Sequence, residues 1–111
     1  MRVAYICSPL NDLEKTRRYA RYVLSRGMAH LTPYLYSLIL NYGRKEERKL
    51  GIESGLSLLW LCNEVWVFGD EITNEMREEL KLAETLHIKI KRISKRTLKK
   101  IGGKNEYDKK D

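Results

Sequence analysis

The stretch Glu64-Val65-Trp66-Val67-Phe68-Gly69-Asp70 decides the fold. Four consecutive apolar residues, Val65 to Phe68, stop at a glycine and an aspartate. An unbroken apolar run of this length reads as a strand buried on both faces, the kind found in parallel sheets covered by helices. Toward the C-terminus, Thr73 to His87 has helical periodicity, and Lys89 to Ile93 reads as a further strand, with Ile88 and Ile90 alternating against lysines. Toward the N-terminus, Glu46 to Leu61 is the longest helical segment, with Leu50, Leu56, Leu58, Leu59 and Leu61 on a broad apolar face. Gly51 and Gly55 fall at i and i+4 of that helix, on one face, where another backbone or a ligand can come close. Each costs about 1 kcal/mol of helix stability relative to alanine.

Further upstream, Val3 to Cys7 is a second buried strand, closed by Ser8-Pro9. Asn11 stands three residues before Glu14 in a variant of the capping box and starts a helix ended by Gly27. Leu13, Ala20, Val23 and Leu24 form its apolar face. Met28 to Thr32 is a short strand before Pro33, and Tyr34 to Tyr42 a helical turn or short helix. Strands alternating with helices predict an α/β fold: a flavodoxin- or Rossmann-like three-layer sandwich with a mostly parallel sheet of about four strands. Ligands of such sheets bind outside the carboxyl ends of the strands, near the switch in strand order. That gathers Cys7 to Asn11, Thr32 to Tyr36, and Gly69 to Thr73.

The length of 111 residues allows one domain. Its 22 Lys+Arg outnumber 15 Asp+Glu, a net charge of +7. More than half of that excess falls in the last 18 residues, where Gly102-Gly103 breaks the chain. The expected division is a folded domain over 1–101 and a basic, disordered tail over 102–111. No apolar run approaches the ~20 residues of a membrane span, and the N-terminus lacks the pattern of a secretory signal. Cys7 and Cys62, each among apolar residues, suit reduced thiols and a cytoplasmic location. No metal-ligand spacing occurs, and neither GxGxxG nor GxxxxGK[ST] is present, so no metal, dinucleotide or other cofactor is expected. Basic residues are not interleaved with aromatics, so nucleic acid is not an expected partner.

One carboxylate is out of place. At 3.6 residues per turn, Glu79 lies about 60° from Met76 around its helix, between Ala83 and Leu86 and inside the apolar arc. A carboxylate on a buried face is costly unless paired or hydrogen-bonded. In the second turn of a helix that follows a central strand, it is a candidate nucleophile or acid/base. Arg48 could hold an anion or balance Glu79. Ser8 and Asn11 offer a hydroxyl and an amide to a polar ligand group, and Tyr34 and Tyr36, at period two, could form one aromatic wall.

The run Tyr5-Ile6-Cys7-Ser8-Pro9, then Pro33-x-Leu35-Tyr36, Glu47-Arg48-x-Leu50-Gly51, Gly55-Leu56-x-Leu58-Leu59-x-x-Cys62-x-Glu64-x-Trp66-Val67-Phe68-Gly69 and Met76-x-x-Glu79-Leu80-x-x-Ala83 resembles a family of small bacterial and phage proteins of unassigned role. Those are similar to the nucleoside 2-deoxyribosyltransferases. The resemblance runs from about Val3 to Ile93, and it carries the Glu-x-x-x-Ala pattern of the transferases' catalytic helix onto Glu79 and Ala83.

It implies cleavage of a nucleoside's N-glycosidic bond, or deoxyribosyl transfer, with Glu79 as nucleophile and Asp70 orienting the sugar or moving a proton. Ser8, Pro9, Asn11, Tyr34, Tyr36, Arg48, Gly69 and Thr73 would contact the ligand, a nucleoside or nucleotide-like molecule. A homo-oligomer is implied as well, because the transferases complete their sites across subunits; Trp60, Trp66 and the Tyr34 to Tyr42 segment supply apolar surface for it. The alternative reading is a non-catalytic module that senses or sequesters such a ligand in the same pocket. Where the small family often has glycine, this chain has Glu75, and Asp70-Glu71-Ile72-Thr73 lacks the glycine of the transferases' Asp-x-Gly-Thr.

Overall fold

Strand β1 (Val3–Cys7) is central, and its side chains alternate between two cores. Ala4 and Ile6 join Tyr19, Val23, Trp66 and Phe68 on one face, while Tyr5 and Cys7 join Leu59, Val65, Val67 and Met76 on the other. The computed structural model describes residues 1–103. After β1 come α1 (Leu13–Ser25), β2 (Ala29–Leu31), α2 (Tyr34–Ile39), α3 (Lys45–Ser57), a 3₁₀ turn at Leu59–Leu61, β3 (Glu64–Val67), α4 (Asn74–Thr85), β4 (Lys89–Arg92) and α5 (Lys95–Gly103). The strands pair in the order β2-β1-β3-β4, all parallel, with Tyr5 opposite Leu31 and Val65, and Val65 opposite Ile90. The protein is therefore the three-layer α/β sandwich expected, with Rossmann- and flavodoxin-like topology. Its strand order switches between β1 and β3, so a crevice opens between the loops that follow them.

The elements differ from expectation where a polar or small residue occupies a buried position. Helix α1 is capped by Asp12, whose side chain accepts from the Lys15 amide at 3.1 Å; Asn11 stays outside. A carboxylate satisfies an orphan amide and meets the positive end of the helix dipole at once. The buried residues of α1 are Thr16, Tyr19 and Val23, with Leu13 and Leu24 partly exposed. Thr16 tolerates burial because its hydroxyl donates back to the Asp12 carbonyl at 3.0 Å. In α3 the buried residues are the glycines, and Leu50 is 54% exposed. A Cβ on Gly55 would lie 2.9 Å from Pro33 Cβ, and one on Gly51 would strike the Tyr42 ring. The close approach that these glycines permit is thus made by the chain's own segment around α2.

Helix α5 is an element that the sequence reading lacked. It carries the chain through Gly102 and Gly103, so the boundary placed at 102 is too early. Leu98 and Ile101 pack against the α1 face of the core, and that burial offsets the helix-breaking tendency of two glycines. The expectation of a disordered tail now concerns residues 104–111, which lie outside the described residues. Those eight hold three lysines and three acids and are neutral, so the net charge of +7 belongs wholly to residues 1–103.

Trp66 is a core residue, 2% exposed, its indole donating to Glu64 at 2.8 Å; Trp60 is 67% exposed. Among the described residues no helix is long and apolar enough to cross a membrane. Both cysteines are free and buried.

His87, just past α4, has φ 58°. A left-handed residue with a Cβ costs on the order of 1 kcal/mol. His87→Gly is therefore expected to stabilise the protein by up to about 1 kcal/mol, read as a higher midpoint in urea.

Candidate active site

Glu79 sits on α4 over the face of β1 that carries Tyr5 and Cys7. The Tyr5 hydroxyl donates to its Oε2 at 2.6 Å. The Cys7 thiol donates to the Met76 carbonyl, with Sγ 3.9 Å away. Burial raises the Glu79 carboxyl to about 7, the Tyr5 hydroxyl and the neighbouring Cys7 pull it down, and the charge of Glu75 adds to the rise. Desolvation therefore wins over hydrogen bonding here, which is the pattern of an acid poised to change charge near neutrality. Tyr5 and Cys7 are themselves pushed far up, by burial first and then by the Glu79 charge, so both remain protonated donors. Cys62, in the same core, is raised by burial to about 11.

Two other carboxylates behave in the opposite way. Glu64 is held below its ordinary value by donors from Trp66 and Arg2, and Glu75 is lowered chiefly by Arg48. Arg48 Nη2 meets Glu75 Oε2 at 2.8 Å, tying α3 to α4 one turn before Glu79. Of the roles open to Arg48 from sequence, a balance of Glu79 is thus not the one taken. The guanidinium reaches Glu75 in the first turn of α4, and Glu79 keeps Tyr5 instead.

The residues grouped by sequence into one pocket occupy three places. Pro9, Asn11, Gly69 and Asp70 do converge, with Asp12 and Glu71, around a small cavity of about 170 Å³ in the crevice between the β1 and β3 loops. Gly69 has φ 101°, and a Cβ there would meet Pro9 Cδ at 2.9 Å, so this junction needs glycine twice over. Ser8 is buried beside it in sequence. Thr73 caps α4, accepting from the Met76 amide at 3.2 Å.

Tyr34 and Tyr36 line a separate apolar groove of about 410 Å³, where Leu35 and Leu38 of α2 face Leu13 and Ala20 of α1. They sit two apart in helix α2 rather than in an extended segment of period two. Glu79 lines neither of these cavities.

The partner that sequence reasoning missed is Tyr5. A tyrosine in an apolar strand reads as core, and only the register of β1 under α4 brings its hydroxyl to a carboxylate. Replacing Tyr5 by phenylalanine removes a donor that favours the charged form. The Glu79 carboxyl is then expected to titrate about one pH unit higher than in the parent, measured by carbon-detected NMR titration.

Fold and site together define an all-parallel four-stranded α/β domain that holds, among the described residues, one partly buried carboxyl raised toward neutrality beside its central strand β1. Over residues 2–93 the chain matches the family described as a domain of unknown function (DUF7768), and it belongs to that family. No curated protein matches it.

Proposed function

We propose that the protein cleaves or exchanges the N-glycosidic bond of a nucleoside or nucleotide, with Glu79 as nucleophile. The observation that carries this reading is the Tyr5–Glu79 hydrogen bond of 2.6 Å on a carboxyl raised to about 7. Tyr5 leaves the second carboxylate oxygen of Glu79 to attack and fixes the direction of that attack. The carboxylate adds to the anomeric carbon as the carbon–nitrogen bond breaks, and the base leaves with the bonding electron pair and takes a proton from solvent. A second base or water then attacks the same carbon and frees the carboxylate. The resemblance to nucleoside 2-deoxyribosyltransferases supports this chemistry on Glu79 and Ala83. It also supports a homo-oligomer, for which Trp60 and the partly exposed α2 leucines offer apolar surface.

Incubation with 2′-deoxynucleosides and a second free base tests the proposal. Base exchange or base release that disappears in Glu79→Gln supports it. Tight binding with full recovery of the intact nucleoside overturns catalysis in favour of a sensing or sequestering module.

A further inference from the structure

The opposite face of the sheet holds a larger cleft that the reaction above does not use. It measures about 500 Å³, within the usual range of small-molecule pockets, and lies between α1 and α5 above Gly69 and Asp70. Lys15 and Arg18 enter it from α1, Lys95 and Lys99 from α5. Asp70 is the acid in its wall, and Asp12 and Glu71 stand in the adjoining smaller cavity, away from Lys95 and Lys99. The spacing within each helix is i,i+3 and i,i+4, which places each pair on one face. Like charges so placed repel, and α5 has no acid in its whole length to relieve them. The floor is Tyr19, Leu98 and Ile101. Tyr19 is stacked on Phe68 at 4.5 Å, and its hydroxyl is kept protonated by burial and by the charges of Asp12 and Asp70.

Both helices also start at this end of the sheet. Asp12 caps α1, and the Ser94 hydroxyl accepts from the Thr97 amide at 3.1 Å at the start of α5. Their positive dipole ends add to the lysines. The three lysines that converge here therefore suit an anionic group, and the apolar floor suits a flat or apolar group beside it.

We propose that this cleft binds a phosphorylated small molecule, its phosphates held by Lys15, Lys95 and Lys99 and its apolar part resting on Tyr19, Leu98 and Ile101. The site is independent of Glu79, which lies on the other face of β1.

Calorimetric titration of the full chain with ADP, sodium pyrophosphate and adenosine tests it. ADP is expected to bind saturably, pyrophosphate more weakly, and adenosine without measurable heat. The triple variant Lys15→Gln/Lys95→Gln/Lys99→Gln is expected to weaken ADP at least about 30-fold, since it removes three charge-assisted contacts. Its exposed positions should leave thermal unfolding unchanged. Arg96→Gln/Lys100→Gln, which removes the same kind of charge from α5 outside the cleft, is expected to leave ADP affinity within about twofold. Equal weakening by the two variants, or no saturable binding of ADP or pyrophosphate, overturns the proposal. Single-stranded RNA that binds the parent and is lost in the triple variant, with no saturable binding of ADP, overturns it too and would make the cleft a nucleic-acid surface. Glu79→Gln is expected to retain ADP binding, so failure of the glycosidic reading leaves this test intact.

Discussion

Glu79→Gln is expected to lower the rate of base exchange or release at least about 1,000-fold, because an amide cannot form the glycosyl ester on which the proposed reaction depends. The same substitution should stabilise the fold above neutral pH. A partly buried carboxyl that titrates at about 7, against 4.5 when free, binds its proton more tightly in the native state. Its contribution to stability is complete below about 4.5 and is lost as the pH rises through about 7. At about 1.4 kcal/mol per tenfold change in proton affinity, the loss reaches up to about 3 kcal/mol at pH 8. Glutamine carries no such penalty, and its carbonyl still accepts from Tyr5. Urea unfolding at pH 5 and pH 8 should therefore show the parent protein weakening with pH and the variant holding level. A variant that loses activity while gaining stability at pH 8 marks a residue kept for chemistry rather than for folding. Equal pH dependence in parent and variant would refute the raised carboxyl.

Gly69→Ala has the largest expected effect on the fold itself. At φ 101° any side chain is strained, and the new Cβ would meet the rigid Pro9 ring at 2.9 Å. Left-handed strain of about 1–2 kcal/mol and overpacking of about 1–3 kcal/mol act together here. The expected destabilisation is about 3 kcal/mol, or about 15 °C in Tm for a domain of this size, read by calorimetry. Relief would require the β1 and β3 loops to separate. Asp70 would move with them, so the cleft between α1 and α5 should lose ADP affinity in the same variant.

Much of the architecture was legible because the decisive strands are buried on both faces. Val3–Cys7 and Glu64–Val67 announce themselves as apolar runs, and their alternation with helical periods implies the parallel sheet. The errors share a physical cause: burial achieved without large apolar side chains. Helix α3 buries Gly51 and Gly55, so a search for a leucine face selects Leu50, which is half exposed. Helix α5 is dominated by lysine and ends in two glycines, so its two anchors, Leu98 and Ile101, were outweighed by composition.

The same split runs through the site. Glu79 was visible as a carboxylate inside an apolar arc, a one-dimensional pattern. Its link to Tyr5, 74 positions away, depends on which face of β1 lies beneath α4. Arg48 pairs with Glu75, one helical turn from Glu79, a difference that periodicity does not resolve. The charge excess looked like a property of the terminus until α5 folded it against α1.

The strand order has a consequence for self-association. Its two margins are β2, which is only three residues long, and β4, which reads Lys89-Ile90-Lys91-Arg92. A second chain adding a strand at β4 would have to crowd three cations against its own backbone, and at β2 it would find almost nothing to pair with. Edge-to-edge sheet extension, the usual route to fibrous aggregates, is thus blocked on both sides. The homo-oligomer proposed above is therefore expected to form through helices rather than through the sheet margins of the described residues.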